Sequence, residues 1–89
     1  MVIRKFRKKP IDAIQWKYDT IANINKIKEF IGCKPEYYGS TLTSGKYLII
    51  KTLKGRLEVS LGDWIIKGIR GEFYSRKPDI FNETYEEIL

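Results

Sequence analysis

The sequence predicts an α+β domain, a small twisted antiparallel sheet of four to six strands with one helix packed on it. Three observations carry that expectation. Short strand-like runs recur along the chain, among them "IDAIQWKY", "KYLIIKT", "RLEVS" and "WIIKGI", with turn residues between them. Only one stretch, from Ile21 to Ile31, repeats its apolar residues at three-to-four spacing. The 89 residues contain no linker, repeat or low-complexity segment. A single domain over 1–89 is therefore expected, and a helix on a sheet is its natural two-layer solution.

Each element has its own justification. Over residues 11–18, Asp12, Ile14, Trp16 and Tyr18 alternate with Ile11, Ala13, Gln15 and Lys17, the period of a first strand. Asp19 or Thr20 then offers a side-chain oxygen to the free amides that open a helix. Its apolar side carries Ile24, Ile27 and Ile31 with Ile21 and Phe30 beside them, and Gly32 suits the left-handed residue that closes it. Residues 34–43 are turn-rich, with Tyr37, Tyr38 and Leu42 as a short edge strand before a Ser44-Gly45 turn. Two strands follow, joined by "LKG", where Gly55 supplies the positive φ of a tight hairpin. A turn at "LGD" leads into "WIIKGI", and Arg70-Gly71 leads into "EFYS". Pro78 and Asp79 begin a single helical turn, followed by a strand or an acidic tail.

Composition excludes several chemistries. There is no histidine, which removes His-based general bases, Ser-His and Cys-His nucleophiles and His-containing metal sites. The single cysteine, Cys33, removes thiolate clusters and intrachain disulfides and favours a reducing cytoplasm. It lacks a neighbouring base and reads as an inert, partly buried thiol. The opening "MVIRKFRKKP" is not followed by the apolar stretch of a secretory signal, and no apolar run approaches the ~18 residues of a membrane span. No catalytic residue, cofactor, metal or membrane association is expected. Lys and Arg number 17 against 11 Asp and Glu, a net charge of +6. That balance favours anionic partners, and it also serves solubility alone.

Residues 62–81, "GDWIIKGIRGEFYSRKPDIF", together with the following "TYEE" and with Lys9, Pro10, Ala13, Ile14, Gln15 and Trp16, resemble a family of short proteins encoded by tailed bacteriophages and prophages. The family signature is Gly-Asp, an aromatic, two apolar residues and Lys-Gly, then Gly-Glu, Tyr, Lys-Pro-Asp and Phe. The likeness covers both ends of the chain and leaves the middle free. Trp64 and Leu61 stand where the family has Tyr and often Pro; a Trp keeps the stacking face of Tyr and loses its hydroxyl. The resemblance implies a viral accessory protein without established catalytic residues, acting in the host cytoplasm. It implies an anti-defence role, either binding a host defence protein or sequestering a nucleotide signal.

Three constellations carry the functional expectation. Trp64, Lys67, Arg70, Tyr74, Arg76 and Lys77 form a candidate ligand-binding set, with Gly68 and Gly71 allowing backbone amides to approach an anion. Trp64, Phe73 and Tyr74 offer faces to a base, worth about 1–3 kcal/mol per stack. The same glycines also serve tight strand connections, Trp64 also suits a core, and Glu72 also suits a pair with a neighbouring base. The second constellation, Arg4, Lys5, Arg7, Lys8 and Lys9 before Pro10, suits phosphates read without sequence preference or a charged strand edge. No helix-turn-helix is present to read DNA, and the one helix carries chiefly Lys26 and Lys28 on its polar side. Asp79, Glu83, Glu86 and Glu87 make the C-terminal end acidic, which either joins it to the basic end, contacts a neighbouring subunit or is simply solvated. The expected function is a non-enzymatic binding protein that sequesters an anionic nucleotide-type immune signal, most easily at the subunit interface of a homo-oligomer. The alternatives are a protein–protein inhibitor of a host defence effector and a nonspecific nucleic-acid-binding module.

Overall fold

The computed structural model describes residues 2–6, 9–39 and 45–88. In chain order the elements are β1 (Asp12–Gln15), α1 (Ile21–Ile31), β2 (Glu36–Gly39), β3 (Lys46–Thr52), β4 (Gly55–Ser60), β5 (Trp64–Lys67), β6 (Phe73–Arg76) and α2 (Pro78–Thr84). The α+β class stands, but the single sheet with one helix does not. Two three-stranded antiparallel sheets form, in the orders β1-β5-β6 and β2-β3-β4, and two helices accompany them. The division arises because β1 takes β5 as its neighbour, with Ala13 opposite Ile66 and Ile14 opposite Ile65, rather than joining the β3–β4 hairpin. The sheets abut where the Ser75 hydroxyl donates to the Glu58 carbonyl at 3.3 Å.

Helix α1 forms where its caps and apolar spacing coincide. Thr20 is the cap of the two candidates: its hydroxyl accepts the Asn23 amide at 3.2 Å. Gly32 closes the helix at φ 78° and donates its amide to the Lys28 carbonyl at 2.9 Å. Ile27 and Ile31 are buried, whereas Ile21 is 79% exposed. At about 100° per residue, Ile21 lies roughly a quarter-turn away from the stripe that Ile24, Ile27 and Ile31 share.

That stripe meets both sheets. The core gathers Trp16, Ile27, Ile31, Leu48, Ile50, Val59 and Ile65, and Phe30 of α1 meets Phe73 of β6 edge to face at 5.9 Å. The expected first strand is shorter than residues 11–18, yet its pairing persists past Gln15. The Trp16 amide donates to the Asp63 carbonyl at 2.9 Å, and the Gly62 amide to the Trp16 carbonyl at 2.7 Å. Trp16 is therefore buried from a position just outside the strand.

Tyr37 and Tyr38 lie in β2 as the edge strand predicts, while Leu42 and Ser44 fall outside the described residues. Gly55 turns the β3–β4 hairpin at φ 120°. The C-terminal helix exceeds the expected single turn: α2 runs for seven residues from Pro78 at its start, and residues 85–88 form no strand. Cys33 is exposed rather than partly buried. No described helix is long and apolar enough to cross a membrane.

Candidate functional site

The β1–β5–β6 sheet carries Trp64, Lys67, Tyr74 and Arg76 of the expected ligand-binding set, while Arg70 lies in the β5–β6 turn and Lys77 directly follows β6. Its register aligns Gln15, Trp64 and Arg76 at one end and Asp12, Lys67 and Phe73 at the other. Strand alternation then puts Trp64, Ile66, Tyr74 and Arg76 on one face and Ile65, Lys67, Phe73 and Ser75 on the α1 face. Trp64, Tyr74 and Arg76 are thus brought together, and Lys67 is not with them.

The chain's own groups already occupy that first face. Phe81 of α2 lies parallel to Trp64, with centroids 4.2 Å apart and planes 6° from parallel, and Tyr85 stands 5.0 Å from Phe81. A hydrogen bond with Tyr85, aided by burial, pushes the Tyr74 phenol above its usual pKa. The Arg76 guanidinium sits 5.1 Å from the Tyr74 ring centroid. Lys77 is drawn elsewhere: its Nζ is 3.2 Å from Asp63 Oδ1. Asp63 is only 4% exposed and its Oδ2 accepts the Ser60 amide at 2.9 Å, closing the turn between β4 and β5. Lys77 is accordingly the counter-ion of a buried turn carboxylate.

At the opposite end, the glycine-bearing turn also meets an internal partner. The Gly68 amide donates to the Glu72 carbonyl at 2.7 Å, the Gly71 amide to the Gly68 carbonyl at 3.0 Å, and the Arg70 amide to Glu72 Oε2 at 3.0 Å. A β-carbon added at Gly68 would run into the Glu72 carboxylate. The Gly68 and Gly71 amides that sequence reasoning offers to an external anion are therefore spent on backbone carbonyls, and the Arg70 amide between them holds the carboxylate of Glu72. Lys67 and Arg70 remain exposed beside it.

Sequence reasoning missed the convergence of the first and second constellations. Because β1 runs antiparallel to β5, Asp12 lies opposite Lys67, and the chain before Asp12 passes alongside the turn. An open groove of about 580 Å³ results, lined by Lys9, Pro10, Asp12, Lys67, Gly68 and Ile69 among others. Arg7 and Lys8 fall outside the described residues. The usable signal was the alternation over residues 11–18 together with the "WIIKG" run, which needed only to be paired.

A second shallow site was not anticipated at all. On the outer face of β2–β3–β4, Tyr38 and Tyr47 stack at 5.2 Å beside Ile49, Arg56 and Glu58, around a hollow of about 430 Å³. Glu36 anchors it, accepting the Tyr38 hydroxyl at 2.7 Å and meeting Lys51 and Arg56 at 3.4 Å each. The Tyr38 hydrogen bond, then that to Lys51, holds the Glu36 carboxyl below its ordinary range. Near the start of α1, Asp19 accepts Lys46 Nζ at 2.7 Å and the Tyr37 hydroxyl at 3.1 Å, which likewise hold its carboxyl low. Among the described residues no group of three or more Asp, Glu or Cys stands where it could hold a metal ion. Compared with protein-family models, curated proteins and solved structures, the chain matches none.

Proposed function

We propose that the chain is a non-enzymatic binding protein of the phage accessory kind. It takes a phosphate-bearing, nucleotide-type ligand at the groove between residues 9–12 and the Lys67–Gly71 turn, and withholds that ligand from a host immune receptor in the cytoplasm. One observation carries the reading: the β1–β5 register puts Lys9 and Lys67 on a single groove of about 580 Å³. That volume falls within the roughly 300–1,000 Å³ of small-molecule sites. Arg70 stands in the adjoining turn, and the net charge of +6 favours an anion from a distance. Of the expected set, Lys67 lines the groove, while Trp64, Tyr74, Arg76 and Lys77 engage the chain's own groups. The resemblance of residues 62–81 to the phage signature supports the anti-defence setting.

Thermal unfolding against cyclic oligonucleotides, ADP-ribose derivatives, mononucleotides and short DNA and RNA tests this. A ligand at a hundred times its Kd stabilises the native state by about 2.7 kcal/mol, a rise on the order of 10 °C for a domain of this size. A rise with one nucleotide class, lost in Lys9→Ala/Lys67→Ala, is the expected result. A rise with every polyanion that vanishes with salt favours the nonspecific nucleic-acid module. No rise at all moves the reading to a protein effector as the target.

A further inference from the structure

The segment that leads into the groove stands away from the domain. Val2, Ile3 and Phe6 are 82, 83 and 89% exposed, and Arg4 and Lys5 lie between them. The radius of gyration is 15.2 Å and the long dimension 60 Å, against 26 and 24 Å across. A compact domain of this length has a radius of about 12 Å, so part of the chain extends beyond the body. A strip of large apolar side chains left in water marks an interaction surface.

The other end of the chain offers the complementary strip. Ile80 and Ile88 are 48 and 75% exposed, and Asp79, Glu83, Glu86 and Glu87 are exposed around them. One end combines apolar and basic side chains, the other apolar and acidic. Nucleic acid would satisfy the bases of residues 2–6 and leave Val2, Ile3 and Phe6 without an apolar partner.

The C-terminal strip runs back along the sheet toward the end that residues 2–6 precede. Residues 2–6 precede the Asp12 end of β1, whereas α2 starts from the Arg76 end of β6. The chain then doubles back, for Phe81 lies on Trp64 and Tyr85 meets Tyr74, two register positions nearer the Asp12 end. Yet residues 2–6 remain exposed and do not lie on their own C-terminal segment. A second copy related by a two-fold axis solves both exposures reciprocally, with the same pair of strips used twice.

We infer that the chain forms a two-fold dimer in which residues 2–6 of each copy lie across the acidic 79–88 segment of the other. This goes beyond the ligand reading and does not rest on it, since no nucleotide is needed for the contact. The apolar side chains supply the buried area, and the opposite charges select the trans pairing and its register.

Sedimentation equilibrium on the full chain at tens of micromolar tests it, with far-UV circular dichroism to check folding. The wild-type chain is expected to be a dimer. Arg4→Glu/Lys5→Glu and Glu86→Lys/Glu87→Lys should each weaken association by about tenfold or more, because like charges then face each other. Mixing the two variants should restore a dimer, since each arm then meets a tail of opposite charge. Ile3→Ser/Phe6→Ser provides a disruption independent of charge. A wild-type monomer, a dimer unaffected by both reversals, or a mixture that stays monomeric overturns the inference. So does a monomer that binds vesicles of anionic phospholipid through residues 2–6.

Discussion

The two sheets each have three antiparallel strands and are covered very differently. In β3 of the β2–β3–β4 sheet, buried Leu48 and Ile50 alternate with less buried neighbours, as one wet face requires. In β5, Ile65 and Ile66 are consecutive and both fully buried. Ile65 faces α1 with the main core, and Ile66 belongs to the face that Phe81 and Tyr85 cover. A strand buried on both sides has no free face to lend a ligand. On the proposed reading, a ligand is left only the rim of the β1–β5–β6 sheet, where Lys9 and Lys67 line one groove, whereas the other sheet keeps its outer face toward water.

The sharpest test of this contrast is to truncate neighbours in each sheet. Ile65→Ala and Ile66→Ala should both cost about 2–5 kcal/mol in urea unfolding, as fully buried isoleucines do. Leu48→Ala should cost as much, but its neighbour Ile49→Ala much less. A mild Ile66→Ala would mean that the Phe81 side is not packed.

Next in size is the buried acid between the sheets. Asp63→Ala leaves the Ser60 amide without its side-chain acceptor and Lys77 without its partner, an expected loss of about 1–3 kcal/mol. Lys77→Ala should be somewhat milder. Equal losses would show that the ion pair, rather than the turn hydrogen bond, is what matters.

Phe81→Ala removes the stacked cover of Trp64, where an aromatic pair contributes about 0.5–1.5 kcal/mol beyond its area. Its clearer readout is fluorescence: emission should shift to the red as Trp64 meets water, because Trp16 stays buried. An unchanged spectrum would break the two-faced account of β5.

The smallest expected effect belongs to the exposed ion pairs of the wetter sheet. Lys46 and Tyr37 hold Asp19 low, and Tyr38, Lys51 and Arg56 hold Glu36 low. A carboxyl whose pKa is depressed on folding stabilises the native state above its unfolded pKa, near 4, and loses that contribution as pH falls through the folded value. Melting curves between pH 5 and 2 should therefore decline less steeply for Asp19→Asn than for wild type. The difference will be modest because both groups are solvated.

Local structure was legible and the partnering was not. Thr20, Gly32 and Gly55 act where local backbone chemistry predicts, because a cap or a tight turn is decided within a few residues. The pairing of β1 with β5 joins residues some fifty positions apart, and periodicity says nothing about which strand is the neighbour. Period two also cannot say whether a face is covered, so Trp64 remained equally a stacking plate or a core residue until Phe81 was placed on it. The doublet Ile65-Ile66 was the clue, since a half-wet strand alternates. For the glycine turn the clue was Glu72 itself, a carboxylate one residue beyond Gly71.

That carboxylate makes the turn an occupied seat. Any anion arriving at the Arg70 amide comes as a replacement for Glu72, and the quantity that governs its binding is the difference between two tenants rather than its own attraction. Chloride, acetate and other singly charged ions, abundant in any cell, gain nothing by the exchange. On the proposed reading, a phosphate diester or polyphosphate that also reached Lys9 and Lys67 would gain by the exchange, and Glu72 would then set a threshold on ligand charge.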